Sequence, residues 1–207
     1  MADGHSTPKV KRGRKFDQVL DGARRIFMTD GFDGASVDDI AKAAGVSKAT
    51  LYSYFPDKRR LFMEVAKTEC VRQAETAVET IDMSQPVAAV LTEAAWQMVG
   101  FFTSDFGQRV FRLCVAESDR FPDLGREFYE SGPALVRARL IEFMKVGISR
   151  GELEIDDLPL AADQFSELCK ADLFPRLVFC MEKSFSDSHK QRIVDGAVST
   201  FMARYKT

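Results

Sequence analysis

Two helices too short to stand alone, each opened by a serine and separated by one glycine turn, constrain this chain more than any other feature. Ser36 suits the cap of a helix from Val37 to Ala44. Asp39 stands three residues later, as in a capping box, although Asp is shorter than the usual Glu. Gly45 ends that helix and Val46 follows. Ser47 caps a second one, Lys48 to Phe55, and Pro56 stops it. Helices of this length are marginal in water, so they persist only against a third element. Phe16, Val19, Leu20, Ala23, Ile26 and Phe27 supply it, recurring at helical spacing from Phe16 to about Thr29. Gly31 follows, where a helix commonly ends in a left-handed residue. The pattern predicts a three-helix unit carrying a helix-turn-helix.

At about 100° per residue, Leu51 and Phe55 of the second short helix point together toward a core. Ala49 and Ser53 point nearly opposite, with Thr50 and Tyr52 on the flanks. A face that is small and polar at its centre, with hydroxyls and an aromatic rim, fits a major groove. Ser36 and Ser47 open adjacent helices whose free N–H groups favour anions. Lys48 and Lys58 add cations, and Tyr52 and Tyr54 carry hydroxyls for phosphate oxygens. Plain helix capping accounts for both serines too, and the two roles coexist. Charge points the same way. Residues 1–60 hold twelve Lys and Arg against eight Asp, while the remainder holds seventeen basic residues against twenty-three acidic ones. A basic end on an acidic body suits contact with a polyanion at that end alone.

The rest of the chain reads as helix throughout, so the fold class is all-α. Residues 1–15 read as a flexible basic arm, in which Arg12 and Arg14 suit a narrow minor groove. Residues 16–57 form the DNA-binding head, extending to about 73 with the start of a linking helix, and 58–207 form a helical ligand-binding and dimerisation body. Asp57 caps the linking helix, Lys58 to about Ile81. Further helices are expected from Pro86 to about Thr103, from about Gln108 to Glu117, and over Pro122–Ser131 and Pro133–Arg150, the last two separate or one helix kinked at Gly132–Pro133. Leu158–Glu182, bent by Pro175, and Asp187–Tyr205 close the chain. Cys70, Cys114, Cys169 and Cys180 lack metal or thioredoxin-like spacing and read as buried thiols. No glycine-rich phosphate loop, G-x-S-x-G or metal cluster is present, so neither an enzyme nor a cofactor is expected. No apolar run nears the length of a membrane span, and the N-terminus lacks a secretory pattern, so a cytoplasmic protein is expected.

Residues 16–67 closely resemble the DNA-binding domain of TetR-family regulators. The matching residues are Ala23-Arg24-Arg25-Ile26-Phe27, Asp30-Gly31-Phe32-Asp33-Gly34-Ala35-Ser36-Val37, the run from Ile40 to Tyr52, Tyr54-Phe55, and Lys58 with Leu61-Phe62. Phe121–Leu153 and Ala161-Ala162-Asp163-Gln164-Phe165 resemble, more loosely, the AcrR/AefR-like branch of C-terminal domains. The resemblance implies a helical, usually dimeric repressor with a ligand-binding body. It implies that Ser36, Ser47, Lys48, Thr50, Tyr52, Tyr54 and Lys58 face DNA. Ser53 departs from the pattern, standing where many members carry an aromatic residue or Arg.

The body's aromatic residues serve core packing or an apolar cavity between helices. Trp96, Phe101, Phe111, Phe128, Phe143 and Phe165 are the candidates for a small-molecule effector site. A cationic ligand would want an acid there, from Glu93, Glu117 or Glu167. The last two helices suit a homodimer surface, with Leu168, Leu177, Val194, Val198 and Phe201 divided between interface and core. The expected partners are a palindromic double-stranded operator, a second copy of the chain and a small molecule, with no membrane. A small-molecule binder whose head meets something other than DNA, a helical enzyme and a redox sensor remain as alternatives.

Overall fold

The computed structural model describes residues 13–207. The helices are α1 (Arg14–Gly34), α2 (Val37–Ala44), α3 (Lys48–Tyr54), α4 (Lys58–Thr80), α5 (Val87–Thr103), α6 (Asp105–Glu117), α7 (Pro122–Ser131), α8 (Pro133–Ser149), α9 (Leu158–Leu168), α10 (Leu173–Val178) and α11 (Asp187–Tyr205). Among the described residues no strand forms; a lone antiparallel bridge joins Leu153 to Lys206. Two compact units meet in sequence at Val65 and Ala66, inside α4.

In the N-terminal unit, α1 buries Phe16, Val19, Ala23 and Phe27, the stripe its sequence marks out. α2 packs on α1 and α3 on α2. The approach of α1 to α2 is made by Gly22: a Cβ there would lie 2.6 Å from the Ala44 nitrogen. Between α2 and α3, Gly45 takes the left-handed conformation (φ 65, ψ 33) that a residue with a Cβ adopts at a cost. Phe27, Phe32 and Phe62 cluster at ring separations of 4.9 to 6.3 Å, closing the far side of the unit. In the C-terminal unit α5 is the central helix, touching α6, α8, α10 and α11. Its Val90, Leu91, Ala94, Ala95 and Val99 join Met144, Phe165, Val194 and Phe201 in one core.

Several boundaries differ from expectation. Helix α1 begins at Arg14, so Arg14 and Lys15 form a first helical turn rather than part of an arm. Arg12 lies outside the described residues. Gly31 has a positive φ of 73, and helical geometry resumes briefly beyond it to Gly34. Helix α6 starts at Asp105 because the Ser104 hydroxyl caps it, accepting from the Gly107 N–H at 3.0 Å. Of the two arrangements expected around Gly132–Pro133, the separate helices form: Gly132 breaks α7 from α8. The expected helix Leu158–Glu182 is two helices. Its break falls at Asp172, whose φ is +64, while Pro175 sits in the first turn of α10, where a missing N–H costs no intrahelical bond.

Cys70, Cys114 and Cys169 are buried, and Cys180 is exposed beside the Arg112 guanidinium at 2.9 Å. Burial pushes the Cys70 thiol up to about 11 and those of Cys114 and Cys169 up to about 12. These three therefore stay protonated at neutral pH and behave as small hydrophobes.

Candidate functional site

Leu51, fully buried, and Phe55 anchor α3 to the unit beneath it. Lys48, Ala49, Tyr52 and Ser53 are exposed on the other side, with Thr50 half-buried beside them. Ser47 caps the helix: its Oγ accepts from the Thr50 N–H at 3.1 Å and lies 2.9 Å from Thr50 Oγ1. Ser53 donates to the Thr50 carbonyl at 2.6 Å. The outward face is thus a short ridge of hydroxyls beside one half-exposed tyrosine, Tyr52. It is held in register by a buried leucine and by caps local to the helix.

The remaining candidates divide. Ser36 caps α2, accepting from the Asp39 N–H at 3.0 Å and donating to Asp39 Oδ2 at 2.5 Å. Asp39 takes the hydroxyl of Ser36, and with Asp38 it gives the first turn of α2 two carboxylates. Those carboxylates already occupy the field of the helix N-terminus that an incoming anion would use. Tyr54 is half-buried, its ring edge-on to Phe16 at 5.7 Å. Lys58 donates to the Ala35 carbonyl at 3.1 Å and lies 4.6 Å over the Phe32 ring, tying the start of α4 to the turn before α2. Arg14 is exposed on the first turn of α1. Pattern reading missed Asp38, whose Oδ1 lies 2.5 Å from Lys48 Nζ. The two residues are ten positions apart, and only the turn at Gly45 brings them together.

The C-terminal unit holds a cavity of about 530 Å³, lined from α4 to α10. Phe101, Phe111, Phe128 and Phe143 line it; Trp96 and Phe165 do not. Helical phase separates the two groups. Along α5 the cavity receives Ala94, Met98 and Phe101, and Trp96 is about 200° away from Ala94. Along α9 it receives Asp163, Ser166 and Glu167, with Lys170 just beyond the helix end, which leaves Phe165 in the core, edge-on to Phe201 at 5.2 Å. Phe102 and Phe174 complete the ring walls, with Phe174 edge-on to Phe111 at 4.7 Å.

Polar groups at the cavity are mostly paired. Arg137 donates to both oxygens of Asp163 at 2.7 Å and to Tyr129 Oη at 3.0 Å. Lys170 donates to Glu167 at 2.6 Å and lies 5.3 Å over Phe102 and 5.7 Å over Phe174. Arg139 Nη1 reaches Glu142 at 3.0 Å, but its Nε is buried with no hydrogen-bond partner. Of the acids considered for a cationic ligand, Glu93 is exposed, Glu117 does not line the cavity, and Glu167 is held by Lys170.

A second, open groove of about 560 Å³ runs between α9 and α11, with Leu160, Leu168 and Thr200 along it. Leu177, Val194 and Phe201 are interior and offer no surface, whereas Leu168 and Val198 are only partly covered.

Comparison with known proteins follows this division of the chain. Residues 19–65 match the family model for bacterial regulatory proteins of the tetR family. Residues 89–207 match that for the C-terminal domain of AefR-like transcriptional repressors. A solved structure of the flavonoid-responsive regulator FrrA is 35% identical, with a TM-score of 0.67 over 94% of this chain and 98% of that one. A TetR-family transcriptional regulator of Mesorhizobium loti is 26% identical, with a TM-score of 0.76 over 94% and 98%. The transcriptional repressor AcnR of Corynebacterium efficiens is 39% identical over 62 residues, which are 30% of this chain and 33% of that relative. The chain thus spans about a third of the length of that relative.

Proposed function

We propose, from the premise that this chain belongs to the TetR family of bacterial regulatory proteins, that it is an operator-binding repressor released by a small apolar ligand held in the α4–α10 cavity. Its relatives and its fold are those of transcriptional regulators, not enzymes. No helix among the described residues is long and apolar enough to cross a membrane. Its place of action is the cytoplasm, with the operator.

The observation that carries the reading is the exposed ridge of α3, set on a packed three-helix unit. Ala49, Thr50 and Tyr52 read base edges in the major groove, and Ser47 and Lys48 meet phosphates. Ser36, Tyr54, Lys58 and Arg14 act at the margins, the first three chiefly by fixing the head. A homodimer through the α9–α11 face presents two such helices to half-sites about 34–36 Å apart, or a multiple of that. The ligand is an aromatic molecule of the kind to which FrrA responds, received by Phe101, Phe111, Phe128 and Phe143. Cys70, Gln73 and Ala74 of α4 line the same cavity, and Leu61 and Phe62 of α4 are buried in the head. One helix therefore belongs to both sites. A ligand that prefers a different setting of α4 shifts the population away from the DNA-binding state.

Selection from random duplexes tests the reading. The wild type enriches a palindrome, and Thr50→Ala with Tyr52→Ala loses that enrichment, each lost base contact costing about 1–3 kcal/mol. No enrichment at low salt by a folded dimer would overturn it.

A second result concerns Lys48. Asp38→Asn frees its ammonium for phosphate and removes a negative charge from the DNA-facing side. Duplex affinity rises a few-fold, and the slope of log affinity against log salt steepens by about one. Because both side chains are exposed, stability changes by under about 1 kcal/mol. Fluorescence anisotropy across a salt series reads both quantities. An unchanged slope removes Lys48 from the phosphate contacts.

A further inference from the structure

The turn between α2 and α3 is held from outside as well as from within. Within, the left-handed Gly45 closes α2 by two bonds. Its own N–H donates to the Lys42 carbonyl at 3.1 Å, and the Val46 N–H donates to the Ala41 carbonyl at 3.0 Å. This pairing satisfies two carbonyls of the last turn and leaves that of Ala43 to find a donor elsewhere. The donor is Arg25 of α1, whose Nη2 lies 2.6 Å from the Ala43 oxygen. A cation at a helix C-terminus also meets the negative end of the helix dipole, so bond and field add. Asp21, one turn back on α1, lies 3.8 Å from the same nitrogen and offsets its charge.

Arg25 stands three residues after Gly22, on the same side of α1. The two residues act on neighbouring atoms of α2. Gly22 permits the approach, since a Cβ there would lie 2.6 Å from the Ala44 nitrogen. Arg25 tethers the carbonyl just before that nitrogen. The end of α2 is therefore fixed against α1 by a close contact and by a bond. Ser47, the cap of α3, follows three residues after Ala44. Burial of Leu51 settles which face of α3 points inward. The turn settles the angle at which the opposite face is presented.

We infer that Arg25 is a positioning residue for the DNA-reading helix: it pins the last turn of α2 to α1 and so fixes the angle of α3, without itself touching DNA. The inference rests on the reading of α3 as the helix that enters the operator. Base edges are read by hydrogen bonds of fixed direction, whereas phosphate contacts carry no sequence information. A tilt of α3 therefore costs affinity for the operator and spares affinity for unrelated duplexes. The Arg25 side chain is 59% exposed, so its loss alters the melting temperature little.

The full chain is compared with Arg25→Met, which keeps the apolar stem and loses the donor, and with Arg25→Lys. Anisotropy is read on the operator selected by the wild type and on a scrambled duplex of the same length, across a salt series. Amide hydrogen exchange is read without DNA. In Arg25→Met, operator affinity falls about tenfold. Scrambled-duplex affinity stays within about twofold, and the slope of log affinity against log salt is unchanged on both. The Gly45 and Val46 amides exchange faster, while those of α1 keep their protection. Arg25→Lys, which keeps the charge and can still donate, recovers part of the operator affinity. An equal loss on both duplexes, with a slope shallower by about one, makes Arg25 a phosphate contact and overturns the inference. So does undiminished operator affinity, or unchanged exchange at Gly45 and Val46. A wild type that prefers no duplex refutes the operator reading instead, and the exchange measurement still decides whether Arg25 holds the turn.

Discussion

Gly22→Val abolishes operator binding while the C-terminal unit keeps its thermal transition. Helix propensity alone forecasts the reverse for the smaller change, since Ala in place of Gly inside a helix gains about 1 kcal/mol. The geometry decides against it. A Cβ at position 22 lies 2.6 Å from the nitrogen of Ala44 and 2.7 Å from its Cα and Cβ. These are main-chain and stub atoms of α2, with no flexible side-chain end that turns aside. Overpacking a rigid contact costs about 1–3 kcal/mol, and two further methyl groups raise that beyond what so small a unit withstands. Relief requires α2 to move off α1, and α3, which packs on α2, moves with it. Gly22→Ala is intermediate, its propensity gain offsetting part of the clash. Anisotropy on the selected operator and differential scanning calorimetry read the two units separately. Wild-type operator affinity in Gly22→Val would show that the α1–α2 approach does not set the reading helix.

This effect is invisible to pattern reading, because Gly22 breaks no periodicity and ends no element. What reading the chain recovers is punctuation. Ser36, Gly45, Ser47 and Pro56 each act within four residues of themselves, so the ends of α2 are legible and α3 ends within one residue of expectation. Side-chain commitments between helices are not: Lys48 to Asp38 and Lys58 to Ala35 both depend on how the helices meet. In the body, a list of aromatic residues holds composition without phase. Trp96 and Phe165 are as aromatic as Phe101 and Phe111, but their helices turn them away from the cavity. The break at Asp172 was hidden for a different reason. A non-glycine residue with positive φ carries no sequence signature, and Pro175 three residues on drew attention to itself. His189 and Arg192 hold the Asp172 carboxylate at 2.8 and 3.0 Å across the start of α11, and those contacts come from twenty or fewer positions away.

Phe165→Ala and Phe111→Ala separate core from cavity by opposite signatures. Phe165 is fully buried and packed edge-on to Phe201. Its removal leaves a void among α5, α9 and α11 and costs about 3–5 kcal/mol. Phe111 is half-buried, with one side against Phe174 and the cavity on another. Its loss costs less stability, on the order of 1 kcal/mol, because less of it leaves water on folding. Binding reverses the order. Phe111→Ala removes a ring wall and weakens an aromatic ligand about tenfold. Phe165→Ala leaves the affinity of the folded fraction unchanged, once the denatured fraction is subtracted. Urea unfolding gives the stabilities and titration with hydroxyflavone gives the affinities. Unaltered affinity in Phe111→Ala moves the effector out of this cavity. A ligand-specific loss in Phe165→Ala, with stability kept, returns Phe165 to the binding site and places the cavity wall one helix face further round.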